Sequence, residues 1–278
     1  MGKVICVANQ KGGVGKTTTV VNLAASLAVA QKKTLIIDFD PQANATSGVG
    51  VDRDRIESSI YNAVLGEADI RDLLVEIEPD TLKGYLSAVP ATPELAGAEI
   101  ELIHLEQREW RLKRAIESIS GEFEYIFIDC PPSLSLLTVN ALAAADSILI
   151  PVQCEYYAME GLGQLKRTVS LIQQRLNPAL SIEGYLLTMF DSRNNICHVV
   201  TNELKTYFGK DVFETIIHRN VKLAESPSYG KPALLYDVKS TGAKNYIALA
   251  QEMISRNGAS VTNEGNIEGE GIEKNYFG

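Results

Sequence analysis

Nowhere in these 278 residues is there a run of about 18 apolar side chains, so a membrane-spanning helix is not expected. The first residues do not pair basic charge with a long apolar stretch, which predicts a protein that is not exported and stays in the cytoplasm. Cysteine is sparse: Cys6, Cys130, Cys154 and Cys197 are scattered, without a C-x-x-C pair or a histidine at metal-ligand spacing. That excludes a disulfide framework and a zinc site, and leaves small buried hydrophobes as the reading. The three histidines, His104, His198 and His218, are far apart and read as structural. An excess of positive charge is missing too, the net charge being −9, which argues against a protein that is basic all over. The deficit is uneven: residues 151–256 carry 12 basic and 10 acidic side chains, a net +2, so a local basic face remains open.

What is present is an alternation. Apolar runs of strand length lie at 4–8, 34–38, 84–89, 125–129, 147–152, 184–189 and 212–217, several of them apolar almost throughout. Segments of helical period lie between them, at 16–30, 94–119, 159–176 and 195–208, with a last one at 241–256. The pattern predicts an α/β fold: a doubly wound, mostly parallel sheet with helices on both faces, in one domain spanning 1–256. Residues 52–83 are charged and poorly patterned and are expected to form short surface helices. From 257 to 278 Gly, Asn, Ser, Thr and Glu dominate, which predicts a disordered acidic tail.

The first strand runs into Asn9-Gln10-Lys11-Gly12-Gly13-Val14-Gly15-Lys16-Thr17-Thr18, and a helix follows. Small residues let backbone N–H groups point inward, and the helix N-terminus adds partial positive charge, so the loop suits a phosphate. Lys16 is placed to reach the β- and γ-phosphates and Thr17 to hold Mg²⁺, with Lys11 to Thr18 as the cradle of a nucleoside triphosphate. Two acidic clusters follow apolar strands: Asp38-Phe39-Asp40-Pro41-Gln42, and Asp129-Cys130-Pro131-Pro132. Carboxylates at strand C-termini sit where such sheets bind ligands, although a strand-ending aspartate is also a common helix cap.

The loop departs from G-x-x-x-x-G-K-[ST]: the first glycine position is Gln10, and a second lysine, Lys11, follows it. The string K-G-G-V-G-K-T-T resembles the deviant Walker A motif of the ParA/MinD family of ATPases. The resemblance covers about residues 3–256 and includes D-F-D-P-Q-A-N-A-T-S-G, D-C-P-P-S, 187–193 and 217–228. It is nearest to the chromosomal, Soj-type ParA proteins, which act with a ParB partner. It implies a P-loop fold, ATP and Mg²⁺ as ligands, and an ATP-dependent sandwich homodimer in which Lys11 crosses to the other subunit's phosphates. It also implies that Asp129 holds Mg²⁺ through water, that Asp38 supports the metal region, and that Asp40 orients the attacking water. Arg193 and Arg219, with Lys222 as a weaker companion, correspond to a surface that binds double-stranded DNA without sequence preference. His218 stands where the family usually has proline. By resemblance hydrolysis is slow until a ParB-type protein stimulates it, and the protein is nucleoid-associated.

Rival readings share parts of this pattern. A MinD-like membrane switch uses the same centre but ends in a basic amphipathic helix, whereas this chain ends GNIEGEGIEKNYFG, so membrane binding is not expected. An iron-protein reductase needs cluster cysteines in glycine-rich loops, and neither Cys130 nor Cys154 has that setting. A metabolic kinase or synthetase needs an acceptor site with no visible signature. No N-terminal helix-turn-helix precedes the first strand, so operator binding is not expected. Residues 189–190 and 219–227 are the candidates for adenine contact.

Overall fold

The computed structural model describes residues 2–79, 81–155 and 158–261. Among the described residues seven strands form one sheet: β1 (Lys3–Val7), β2 (Thr34–Asp38), β3 (Val75–Glu76), β4 (Leu86–Val89), β5 (Tyr125–Asp129), β6 (Ser147–Gln153) and β7 (Ser181–Thr188). Their order is β3-β4-β2-β5-β1-β6-β7. Every pairing is parallel except β3 with β4. The two-residue β3 is the strand that patterning did not reveal.

Alternation along the strands divides the core into two faces. Val4 and Cys6 of β1 join Leu35, Ile37, Ile126, Ile128 and Ile148 on one side, under helices Leu136–Ala144 and Ala158–Arg175. Ile5 and Val7 join Ile36, Phe127 and Leu149 on the other, under helices Lys16–Val29 and Thr241–Val261. Both faces are covered, which is why β2 and β5 are buried at every position. Neighbouring strands β1 and β5 send their following helices to opposite faces, and such a reversal opens a crevice at the strands' C-terminal edge.

Two expected elements come out differently. The segment 94–119 is not one helix: Leu95–Glu101 and Arg111–Glu117 are separate, with 3-10 turns between them and Gln107 in a left-handed conformation at φ 53°. The polar stretch Glu106 to Glu109 interrupts the apolar stripe there, and each piece buries its own leucines. Nor is 212–217 a strand. Phe213 N–H and Ile217 N–H donate to Tyr185 and Leu187 at 2.9 and 2.9 Å. Between them the Glu252 carboxylate takes the N–H groups of Glu214 and Thr215 at 2.9 and 2.8 Å, so only isolated bridges form. The last helix runs to Val261, five residues past the expected 256; the remainder of the expected tail, 262–278, lies outside the described residues.

Candidate functional site

β1, β2, β5, β6 and β7 deliver their C-terminal ends to one edge, and nearly every nucleotide-centre residue expected from sequence gathers there. The loop 9–15 leaves β1 and ends at Gly15, whose φ of 86° explains its glycine; Gly13 has φ 73°. Asn9 is buried and fastens the start of the loop: its amide donates to the Pro151 carbonyl at 2.8 Å, and its Oδ1 accepts the Lys11 N–H at 3.0 Å. From β7, the Thr188 hydroxyl donates to the Val14 carbonyl at 2.8 Å. The loop is therefore held near both of its ends by the two strands, β6 and β7, that lie to one side of β1.

Lys16 folds back over the cradle, its Nζ 3.3 Å from the Lys11 carbonyl. Burial draws its ammonium below the ordinary lysine range, opposed by the nearby carboxylates of Asp129 and Asp40. Such a cation gains most from an anion brought into the loop. Lys11 points elsewhere, out of the cradle, and is ion-paired with Glu155 beyond β6.

Asp38 and Asp129 are register partners on β2 and β5, both wholly buried. Thr17 Oγ1 donates to Asp129 Oδ2 at 2.7 Å, while Asp129 Oδ1 is buried without a partner among the described residues. Burial, with the charge of Asp38 added, pushes the Asp129 carboxyl well above the usual range. Asp38 is raised to about 6 by burial, against hydrogen bonds from Thr46, whose N–H and hydroxyl both reach Oδ2 at 2.7 Å. An orphaned carboxylate oxygen beside a hydroxyl, with a second buried acid alongside, fits a hydrated Mg²⁺. Asp40 is buried with its Oδ1 accepting the Gln42 N–H at 3.0 Å, and its own N–H donates to Asp38 Oδ1 at 3.3 Å. Gly12, Thr18 and Val14 complete the loop; a Cβ on Gly12 would meet nothing within 4 Å among the described residues.

The second expected cluster forms beside this edge. A bridge between Phe190 and His218 sets residues 190–193 next to 218–219, with Arg219 N–H donating to Phe190 O at 3.0 Å. Arg193 grips Asp191 through two bonds of 2.9 and 2.7 Å, which hold that carboxyl far below its usual range. Lys222 pairs with Glu225 at 2.9 Å and lies over the Tyr236 ring at 5.3 Å. Arg219 is exposed and makes no ion pair among the described residues. His218 uses the N–H that a proline lacks, donating to Asn245 Oδ1 at 3.1 Å. Of the positions set aside for adenine, Met189 holds φ 52° and lies near the loop, its Cε 3.9 Å from where a Cβ on Gly15 would be.

Asn9, Thr46, Thr188 and Glu155 were not singled out from sequence. Thr46 lies within the quoted D-F-D-P-Q-A-N-A-T-S-G string and Thr188 within the quoted stretch 187–193, but Glu155 is 144 residues from Lys11 and carries no local signal.

Residues 2–182 match the family model of an AAA domain. The chain is 57% identical over 256 residues to the chromosome partitioning protein ParA of Myxococcus xanthus, covering 92% of this chain and 89% of that protein. It is 54% identical to the sporulation initiation inhibitor protein Soj of Bacillus subtilis, covering 91% and 98%. Its backbone is similar to that of cobyrinic acid a,c-diamide synthase from Mycobacterium smegmatis, crystallised with ADP and magnesium, at a TM-score of 0.81 and 36% identity over 94% and 97% of the two chains. With the deviant phosphate loop, the buried aspartate pair and identity above half to partitioning proteins along almost its whole length, the chain belongs to the ParA/MinD family of P-loop ATPases, among the ParA and Soj partitioning proteins.

Proposed function

We propose that the protein is a DNA-partitioning ATPase whose ATP-bound form is a sandwich dimer that holds DNA without sequence preference. Hydrolysis to ADP and phosphate, stimulated by a ParB-type centromere-binding partner, releases it. The observation that carries this reading is the division of labour between two lysines of one loop: Lys16 fills its own cradle, while Lys11 is turned outward from it. A charge that does not serve its own site is available to a second copy, and the γ-phosphate then becomes part of the interface.

The chemistry is assigned as follows. Backbone N–H groups from Gly12 to Thr18 and the Lys16 ammonium bind and orient the phosphates. Thr17 and Asp129 would hold Mg²⁺, with Asp38 behind them; when bound, the ion neutralises phosphate charge. Asp40 positions the attacking water, and Lys11 of each subunit completes the other's site. Arg193, Arg219 and Lys222 form the DNA strip. In one chain Asp191 and Glu225 offset two of these three cations. Phosphates compete those pairs apart, and duplication of the strip in the dimer steepens binding because each contact releases counterions. This places the protein on the nucleoid in the cytoplasm, away from membranes.

Arg219→Glu tests the assignment. It is expected to abolish DNA binding by the ATP-loaded protein while ATP binding stays intact, and loss of a contact on each subunit flattens the salt slope by about 0.9 per contact. Normal DNA binding at all salt concentrations would overturn it. The likeness to a diamide synthase favours a second reading, in which ATP turnover depends on a small acceptor molecule. Turnover assayed with DNA and a ParB-type protein alone separates the two, since the synthase reading predicts no stimulation. Co-sedimentation with anionic liposomes in the presence of ATP tests the MinD-like alternative.

A further inference from the structure

Lys11 is committed to Glu155 within its own chain. We propose that Glu155 is the positioning residue for Lys11: it holds the outward lysine in the free subunit and sets the concentration at which two subunits close. The inference rests on the reading of Lys11 as a residue that acts across the dimer.

The geometry gives Glu155 a fixed relation to the loop. Asn9 joins the end of β6 to the loop through its bonds to the Pro151 carbonyl and the Lys11 N–H. Glu155 lies two residues past the end of β6, in a turn closed by its own N–H on the Gln153 carbonyl at 2.9 Å. The backbone of Lys11 is also held by Lys16 on its carbonyl. Both ends of the pair are thus tied into one hydrogen-bonded unit, so side-chain rotation is enough to part Lys11 from Glu155. The pair is open to water, the two side chains being 41% and 47% exposed, so it is a reversible hold and not a lock. Exposed pairs of this kind bias an equilibrium by a factor of roughly 1.4 to 5 each. A symmetric dimer breaks two of them, and the factors multiply to about 2- to 30-fold.

The test has two readouts. Without nucleotide, acylation of Lys11 by an amine-reactive ester, followed by mass spectrometry, is expected to run about 1.4 to 5 times faster in Glu155→Gln, because the amine is no longer engaged. With ATP and Mg²⁺, the protein concentration at half-dimerisation, measured by sedimentation, is expected to fall about 2- to 30-fold in the same variant. Lys11 acylation at the parent rate overturns the proposal. So does a half-dimerisation point that is unchanged or higher, the latter showing that Glu155 makes a contact in the closed dimer. Lys11→Ala separates the two levels of inference. If it dimerises like the parent, the shared-site reading fails; if it does not dimerise while Glu155→Gln behaves as the parent, only the role of Glu155 fails.

Discussion

Thr46 joins three parts of the nucleotide centre with one side chain. Its hydroxyl donates to Asp38 at 2.7 Å and accepts the Ala91 N–H at 3.0 Å, tying the segment after β2 to the residues just past β4 in a region closed to water. Thr46→Val keeps the shape and removes the hydroxyl, leaving Ala91 N–H unpaired and Asp38 with one bond fewer. A buried polar group stripped of its partner costs about 1–3 kcal/mol, so the two losses together should destabilise the nucleotide-free protein by about 2–4 kcal/mol. Urea unfolding checks this, with Thr46→Ser expected to stay within about 1 kcal/mol of the parent because it keeps the hydroxyl. The same distinction explains what sequence could reveal here. Lys11, Lys16, Thr17, Asp38, Asp40 and Asp129 stand in local strings whose chemistry is tied to spacing. Thr188 stands in the quoted stretch 187–193, but its bond to the loop, like that of Glu155, exists only through the order of the strands, and nothing next to Glu155 in the chain marks it.

The elements on each side of the crevice show why patterning finds most strands and misplaces a few. β2 and β5 match their expected limits because both faces are covered and the whole run is apolar. The segment 212–217 has a strand's composition, yet Glu252, far along the chain in the last helix, captures two of its N–H groups. Composition cannot register such a long-range competitor. Glu252 is also bonded by Arg256 at 2.6 Å. Burial pushes its carboxyl up, but the bonds from Thr215 and Glu214 and the charge of Arg256 outweigh that and hold it below the ordinary glutamate range. A carboxyl depressed by folding contributes stability above its unfolded value, about 4.3, and loses it as pH falls through the folded value. Glu252→Gln should therefore be less stable than the parent at neutral pH, by about 1 kcal/mol given partial exposure. The gap should close as pH drops below about 4. Chemical denaturation of both proteins from pH 7 down to acid checks the sign. A gap that widened in acid would mean the carboxyl is raised instead.

The proposed dimer sets its own demand on the loop, separate from what a single chain needs. Gly13 and Gly15 have positive φ, so any side chain there strains the isolated subunit. Gly12 does not: its backbone lies outside the left-handed region, and a Cβ built on it meets nothing within 4 Å. Nothing among the described residues of one subunit requires glycine at that position. If two loops approach each other across a shared pair of nucleotides, the second copy does require it, because a branched side chain would stand between them. Gly12→Val is therefore expected to unfold within about 0.5 kcal/mol of the parent, as a substitution into open space does. It should bind ATP with unchanged affinity, yet stay monomeric with ATP and Mg²⁺ and fail to retain DNA. Unfolding, nucleotide titration and sedimentation on one preparation separate these outcomes. A variant that dimerised normally would leave Gly12 without a role in assembly and would place the contact between subunits away from the loop. A variant that was strongly destabilised would show that the glycine serves the single chain after all.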